Sequence, residues 1–304
     1  MSALTFPILQ TSRPADAKKL AGLNRRALPS LAIAQKVRSI LEDVREGGDR
    51  ALCAYTKKFD GVALKPGEIT LKSQPEDPPA PVRRAISHSL RNIRLFSTGR
   101  RPRDWRGTNS EGAIVGEQYR PFERVGVYVP GGTAPLVSTA LMTVGVARVA
   151  GVKEIAVTTP PPVDNSLHYA LRAAGATEIY HAGGAQAIAA LAFGTETIPA
   201  VQMIAGPGNA YVVEAKRQAV GAVAIDLLPG PSEIAVLADG TANPKFVAAD
   251  LLAQAEHGPG SQVLMVSPSG KVLARVQKEM NAQLPALSRQ AYLRDVLKQG
   301  THFV

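Results

Sequence analysis

Apolar residues recur about every 3.6 residues in three segments of the first third of the chain, which is the helical period. These segments are predicted to be helices: 30–46, 49–58 and 82–96. Ser30 has the side chain of a helix N-cap, and Gly47 with Gly48 is typical of a helix end. The stretch 73–81 holds four prolines and is predicted to be a connector.

From Glu123 onward, short β-branched runs alternate with helical segments, which is typical of parallel βαβ units. Seven runs are predicted to be strands: 124–129, 154–158, 178–180, 201–204, 222–225, 234–237 and 263–266. Glycine or proline loops follow four of them, at 130–132, 183–184, 206–208 and 230–232. Open α/β sheets bind ligands at the carboxyl ends of their strands, so these loops are candidate binding loops.

The 304 residues are 45% hydrophobic and 20% charged, which predicts a globular protein with room for two domains. No signal peptide or membrane span is expected, because Arg148 and Gln186 interrupt the longest apolar segments and the first thirty residues lack a basic start before an apolar run. A cytoplasmic location is expected. Cys53 is the single cysteine, and its place on an apolar helix face indicates packing rather than redox chemistry.

The net charge of +10 is concentrated near the N-terminus. Residues 1–120 contain 22 Lys and Arg against 12 Asp and Glu, whereas the remainder contains 13 of each. The arginines are densest over 83–106, and this run could bind the phosphate backbone of a nucleic acid or could bind a partner. The alternative is a solvated helix face followed by an arginine-rich loop, since no nucleic-acid-binding motif accompanies the run.

The glycine loops would let backbone N–H groups approach an anion or a dinucleotide, aided by the positive ends of the helices that follow. None of them matches G-x-G-x-x-G, so tight strand-to-helix turns remain an alternative. Asn209 could equally be the cap of the next helix. Gln186 is more telling, because it lies in the small apolar segment 185–192, where a buried amide needs partners.

Gln254 and His257 end the helix predicted to begin near Pro244. They are three residues apart, so they are expected on one helix face, where both could bind one metal ion. Imidazole is a good zinc ligand and an amide oxygen an unusual one. A histidine that interacts with the negative end of the helix is the alternative, and no other histidine has a ligand spacing to His257.

Seven motifs occur in an order found in one enzyme family: VREGGDRALCAYTKKFDG (44–61), RVGVYVPGGT (124–133), AGVKE (150–154), GGAQAIAALAFGTET (183–197), GPGN (206–209), GPSE (230–233) and LLAQAEH (251–257). Together they resemble histidinol dehydrogenase along essentially the whole chain. The resemblance implies an α/β fold with two Rossmann-like parallel-sheet domains, one inserted in the other, and an N-terminal helical segment. The domains implied are 1–127 with 234–304, and the inserted 128–233.

The resemblance also implies the chemistry of the site. It assigns Tyr128, Gln186 and Asn209 to NAD, Ser232 to the substrate, and Gln254 and His257 to both Zn²⁺ and the substrate. The implied reaction is the two-step, NAD-dependent oxidation of L-histidinol to L-histidine, in histidine biosynthesis, by a cytoplasmic homodimer. A relative acting on another small alcohol, such as a sulfonated diol, is the second enzyme interpretation, and a non-catalytic protein that binds through 83–106 is the third.

The family pattern continues past the segment that corresponds to 301–304. It includes a Glu-His pair for proton transfer and an Asp and a His that complete the zinc shell, and 1–304 contains no match to these. No catalytic residue is therefore assigned in this chain. The expectation is a truncated or split form with low or no activity in the absence of a complementary segment.

Overall fold

The computed structural model of the chain describes residues 3–23, 30–72, 76–131, 135–230, 232–258, 260–287 and 289–304. The chain divides into two compact units, which are Pro29–Leu228 and the combination of Met1–Leu28 with Pro229–Val304. The predicted boundary at 233 lies close to the one at Leu228. No unit boundary lies at the predicted 127, because α2 and α3 belong to the same unit as the strands that follow them, whereas α1 belongs to the other unit.

Helices and strands alternate through most of the described residues. The helices, in chain order, are α1 (Pro14–Ala21), α2 (Leu31–Asp60), α3 (Ala80–Gly99), α4 (Val137–Ala150), α5 (Asn165–Ala174), α6 (Gly184–Phe193), α7 (Ala210–Ala219), α8 (Pro244–Ala255), α9 (Gly270–Gln283) and α10 (Gln290–Gly300). The strands are β1 (Trp105–Thr108), β2 (Ile114–Glu117), β3 (Arg124–Tyr128), β4 (Glu154–Thr159), β5 (Glu178–His181), β6 (Met203–Ala205), β7 (Ala224–Ile225), β8 (Glu233–Leu237), β9 (Gln262–Val266) and β10 (Thr301–Phe303). Two short 3₁₀ turns lie at Pro66–Glu68 and Leu284–Ala286.

The larger unit is built on a parallel five-stranded sheet with the order β5-β4-β3-β6-β7. The first strand in sequence, β3, lies in the middle, and the order reverses between β3 and β6. This is the order of a Rossmann-type sheet, whose ligands bind at the carboxyl ends of the strands on either side of the reversal. The predicted α/β class with Rossmann-like parallel sheets is confirmed.

Both faces of this sheet are covered by helices. On one face α2, α6 and α7 form a core with Tyr128 and Ile204, and on the other α3, α4 and α5 form a core with Val125 and Val127. Burial on both faces explains why the strands are continuous apolar runs instead of alternating ones. Helix α6 lies deepest, since residues 185–192 are all buried.

Helix α2 consists of two helical segments that meet at a kink at Gly48, so the predicted helix end at Gly47 and Gly48 and the predicted second helix from Asp49 are confirmed. Ser30 caps it by accepting a hydrogen bond from the backbone N–H of Ile33, as predicted. Gly48 alone leaves the helical conformation, with φ 50° and ψ −137°, and the helix resumes at the next residue. The Glu196 carboxylate accepts a hydrogen bond from the N–H of Asp49 at 2.7 Å, so the kink is held by tertiary contacts that the local sequence does not reveal.

The smaller unit contains a parallel three-stranded sheet, β10-β9-β8, packed with α8, α9 and α10. Strand β10 was not predicted, although Phe303 is fully buried and stacks on Phe6 at 5.5 Å between ring centroids. The hairpin β1–β2 was not predicted either, because the end of the run 83–106 was interpreted as an arginine-rich loop. Both are short and lack a clear apolar alternation.

Two other expectations concern burial and membrane spans. Cys53 is buried, as predicted, and burial raises the pKa of its thiol. No helix in the described ranges has the length and apolar character needed to cross a membrane.

Candidate functional site

Tyr128 lies at the carboxyl end of β3, beside the reversal of strand order. Its side chain is buried, and its hydroxyl accepts a hydrogen bond from the backbone N–H of Gly184 at 3.2 Å. That contact ties the start of α6 to the end of β3. Burial, with a smaller contribution from the nearby Asp60 carboxylate, raises the pKa of Tyr128 to about 12, so the hydroxyl stays protonated and can donate to a ligand.

Gly206 opens the loop that follows β6, on the other side of the reversal. Its φ of 124° and its position demand glycine, because a Cβ here would lie 2.1 Å from the backbone oxygen of Tyr128. The loop ends at Asn209, whose Oδ1 caps α7 by accepting from the backbone N–H groups of Tyr211 and Val212. The capping role weighed for Asn209 is therefore real, and Oδ1 is the atom that fills it, which leaves the NH₂ group of the side chain for another partner.

Gln186 lies in the first turn of α6 and is 1% exposed. Neither its Oε1 nor its Nε2 has a hydrogen-bond partner among the described residues. Leaving such a group unpaired costs about 1–3 kcal/mol, so a buried amide of this kind needs an explanation. A ligand that both donates to and accepts from the amide would supply one.

Three other polar atoms at the same carboxyl edge are buried without a partner in the described structure: Asp60 Oδ2 at the end of α2, Thr158 Oγ1 in β4 and His181 Nδ1 at the end of β5. Burial raises the pKa of the Asp60 carboxyl and lowers that of His181. Sequence reasoning missed all three. An Asp before a Gly is typical of any turn, and a strand-end Thr or His carries no distinctive local pattern.

Gln254 and His257 lie in the smaller unit, at the end of α8. The helix begins at Pro244 as predicted but ends at Ala255, so His257 lies in the turn beyond it and its N–H donates to the carbonyl of Gln254 at 3.2 Å. Glu256, between them, keeps a right-handed helical conformation, so the chain passes from Gln254 to His257 in a tightened last turn. His257 is exposed, whereas Gln254 is buried and its Nε2 has no partner in the described part of the chain.

A metal at Gln254 and His257 would need further ligands. Within the described ranges, no group of three or more His, Cys, Asp or Glu residues could hold a metal ion. Ser232 is exposed, and its backbone carbonyl accepts from the N–H of Gln262 at 3.1 Å, which leaves its hydroxyl accessible. The buried amide of Gln254 and the accessible imidazole of His257 suit a metal ion as donors, but they are an incomplete set of ligands.

The sheet order and the glycine loops at its carboxyl edge define a Rossmann-like α/β protein. Residues 23–304 match the family model described as histidinol dehydrogenase. The crystal structure of histidinol dehydrogenase from Elizabethkingia anophelis superposes with a TM-score of 0.88 and 37% identity, over 98% of this chain and 70% of that one. The chain belongs to the histidinol dehydrogenase family, a family of oxidoreductases.

Two curated relatives show how much of a family member this chain represents. It is 47% identical over 261 residues to the histidinol dehydrogenase of Geobacillus kaustophilus, covering 84% of this chain and 62% of the relative. It is 46% identical over 268 residues to that of Thermus thermophilus, covering 87% of this chain and 64% of the relative. The chain therefore spans less than two thirds of the length of either relative.

Proposed function

We propose that this chain provides the NAD-binding part of a histidinol dehydrogenase, which oxidises L-histidinol to L-histidine in two NAD-dependent steps with the help of Zn²⁺. The observation that carries the proposal is the buried amide of Gln186, which lacks partners in the described structure and lies at the carboxyl edge of a Rossmann-type sheet. Family membership supports the reaction. The intact enzyme is proposed to be a cytoplasmic homodimer.

Tyr128, Gln186 and Asn209 are the proposed NAD contacts, and the nicotinamide, when bound, accepts the hydride. The Gln186 amide can accept and donate at once, which suits a carboxamide or a ribose hydroxyl. The Tyr128 hydroxyl, already accepting from Gly184, is free to donate. The N-terminal ends of α6 and α7 both lie at this edge, so their backbone N–H groups favour the negatively charged pyrophosphate.

Gln254 and His257 are the proposed metal ligands, and Ser232 is a proposed substrate contact. Zn²⁺, when bound, would fix the substrate and polarise its reacting group. Of this chain's own residues, His257 supplies an exposed imidazole nitrogen as a donor, and the buried amide of Gln254 supplies an oxygen donor. No proton-transfer residue is assigned within 1–304.

NAD binding to the purified chain tests the first part of the proposal. Gln186→Leu should raise the NAD dissociation constant, measured by isothermal titration calorimetry, at least about tenfold, because the ligand loses a buried polar partner. Gln262→Leu is the matched control, since Gln262 is also a buried glutamine whose Nε2 has no partner in the described structure, but it lies in β9 of the other unit. Absence of NAD binding by the parent chain, or an equal effect of both substitutions, would contradict the assignment.

Zinc binding tests the second part. His257→Ala should lower the zinc content of the chain after dialysis against a limiting zinc buffer, measured by mass spectrometry of the metal, because it removes the strongest donor of the set. His88→Ala is the control, since His88 is likewise exposed but lies on α3 in the other unit. Equal zinc content in the parent and in both variants would refute His257 as a ligand.

A further inference from the structure

Lys216 is a lysine buried in the middle of α7, with 1% of its surface exposed. Lysine is almost never buried to this extent without a partner. Its ammonium group pairs with the carboxylate of Asp226, which immediately follows β7. The sequence gives no sign of this pair, because the two residues are ten apart and neither belongs to a recognisable catalytic motif.

The two charges hold the backbone of one glycine between them. Lys216 Nζ donates to the carbonyl oxygen of Gly206 at 2.9 Å. The N–H of Gly206 donates to Asp226 Oδ2 at 2.8 Å. Both hydrogen-bonding groups of Gly206 are thus bound by ionised side chains, and such charge-assisted hydrogen bonds are about twice as strong as neutral ones.

The backbone around Gly206 is tightly packed and has little room to shift. It follows β6 at the reversal of strand order, and its Cα lies so close to the Tyr128 carbonyl that a Cβ would be 2.1 Å from that oxygen. Three residues later the loop reaches Asn209, the N-cap of α7. The loop 206–209 is therefore bounded by Tyr128 on one side and by the Lys216–Asp226 pair on the other.

A buried ion pair is weak support for stability, since apolar residues of similar volume are often equally stabilising. The Lys216–Asp226 pair matters here because it hydrogen-bonds both backbone groups of Gly206. We propose that Lys216 and Asp226 are positioning residues for the loop 206–209, which they fix in the orientation that presents its backbone N–H groups and Asn209 to NAD. This inference rests on the proposed dinucleotide site and adds to it two residues that do not touch the ligand themselves.

The test separates stability from NAD affinity. A single substitution strands one buried charge, so it lowers stability whatever the role of the pair. The double variant Lys216→Met/Asp226→Leu removes both charges and should recover most of the melting temperature. If the pair positions the loop, NAD binding, measured by calorimetry, stays at least about tenfold weaker in the double variant, because Gly206 has lost its two anchors.

A second ion pair, in the same unit, provides the control. Arg124 and Glu178 pair at the amino ends of β3 and β5, on the edge opposite to the loop. Arg124→Met/Glu178→Leu should also change stability but leave the NAD dissociation constant within about twofold of the parent. Should the Lys216/Asp226 double variant fail to fold, Lys216→Met/Asp226→Asn removes both charges but keeps an acceptor for the Gly206 N–H, and it should still weaken NAD binding because the Gly206 carbonyl has lost its partner.

Hydrogen exchange of the ligand-free chain gives a readout independent of NAD. The amides of 206–212 should exchange faster in the Lys216/Asp226 variant and at the parent rate in the Arg124/Glu178 variant. Parental NAD affinity and parental exchange in the Lys216/Asp226 variant would overturn the inference, as would an equal loss of affinity in the control. If the parent chain binds no NAD, the proposed function fails, and the exchange rates still decide whether the pair positions the loop.

Discussion

Asp60 ends α2 with a carboxylate oxygen that is buried and lacks a partner in the described structure. Burial raises its pKa above the unfolded value, so its favourable contribution to stability is present at pH below the unfolded pKa and is lost as pH rises through the folded pKa. Above that pKa the buried carboxylate is ionised and destabilises the folded state, and Asp60→Asn removes this destabilising charge. We expect it to raise the melting temperature at pH 7 and to make no difference below the ordinary carboxyl pKa of about 3.9.

Calorimetric melts of the parent and of Asp60→Asn from pH 3 to pH 8 check this expectation. Asp250→Asn, which replaces an exposed carboxylate on α8, is the control and should change the melting temperature little at any pH. A melting temperature of Asp60→Asn at or below that of the parent at pH 7 would show that an undescribed partner stabilises the carboxylate.

Gln186 should be a site where stability and ligand binding conflict. Gln186→Leu replaces an amide that is buried and unpaired within the described structure with an apolar side chain of similar size, so the ligand-free chain should gain about 1–3 kcal/mol in free energy of unfolding. Urea unfolding, with and without saturating NAD, measures this gain and the loss of ligand stabilisation together. A destabilised variant without NAD would mean that protein groups already satisfy the amide.

Single residues differed in how well the sequence revealed them. Gln186 stood out because a polar amide interrupts a small apolar run, and the structure buries it as that pattern suggests. Asp60 did not, because an Asp before a Gly is typical of any turn. Lys216 could not be identified either, since the identity of its partner depends on the pairing of β6 with β7, which is a property of the sheet.

Among the elements, α2 shows how tertiary contacts fix the junction between two helical segments that the local sequence predicts separately. Two adjacent glycines predict a helix end, and the chain does leave the helix at Gly48. The second segment starts at Asp49, whose backbone N–H is bound by Glu196 and whose side chain accepts from the N–H of Thr197 at 3.3 Å. The strands of the five-stranded sheet were predictable because burial on both faces demands apolar runs. The hairpin β1–β2 was not, because its side chains are mostly exposed.

The kink of α2 should depend on Gly48. Its φ of 50° disfavours any side chain, and a Cβ would lie 2.2 Å from Glu196 Oε2, so Gly48→Ala should cost at least about 1–3 kcal/mol of unfolding free energy. Gly99→Ala is the control, since Gly99 is helical with open space around its Cβ position and should gain up to about 1 kcal/mol. Denaturant unfolding of Gly48→Ala and Gly99→Ala measures both changes in free energy. If the two variants were equally stable, the kink would not depend on a glycine at 48.

At the scale of the whole molecule, the sequence predicted the class of fold, whereas the division into units depends on contacts between helices. The N-terminal helices were expected to belong with 234–304, whereas α2 and α3 belong to the unit of the five-stranded sheet. The reason is that α3 packs against α4 and α5, and α2 against α6 and α7. Helix packing of this kind depends on which apolar faces meet, and periodicity within one helix does not specify its partner.

The uneven charge of the whole chain also leads to a prediction about nucleic acids. The excess of basic residues lies within 1–120, and some arginines of α3 have protein partners: Arg83 pairs with Asp77 at 3.1 Å, and Arg94 donates to the Ala173 carbonyl at 3.2 Å. We therefore expect only weak attraction to duplex DNA, without sequence preference and decreasing steeply as salt rises, because it depends on phosphate charge alone. Retention on columns of two unrelated DNA sequences, at about 50 and 200 mM salt, measures it.

Arg84→Gln/Arg91→Gln changes two exposed arginines of α3 and should lower the salt dependence of retention by roughly one unit of slope for each phosphate that is no longer neutralised, while NAD affinity is unchanged. A matched double change to Gln at exposed Lys57 and Lys58, at the end of α2, controls for net charge alone. A complex that prefers one DNA sequence and survives at about 200 mM salt would instead favour a nucleic-acid-binding role for 83–106, because base recognition persists where phosphate attraction is screened. Equal effects of the two double variants would mean that the attraction follows net charge and that α3 offers no particular surface to a polyanion.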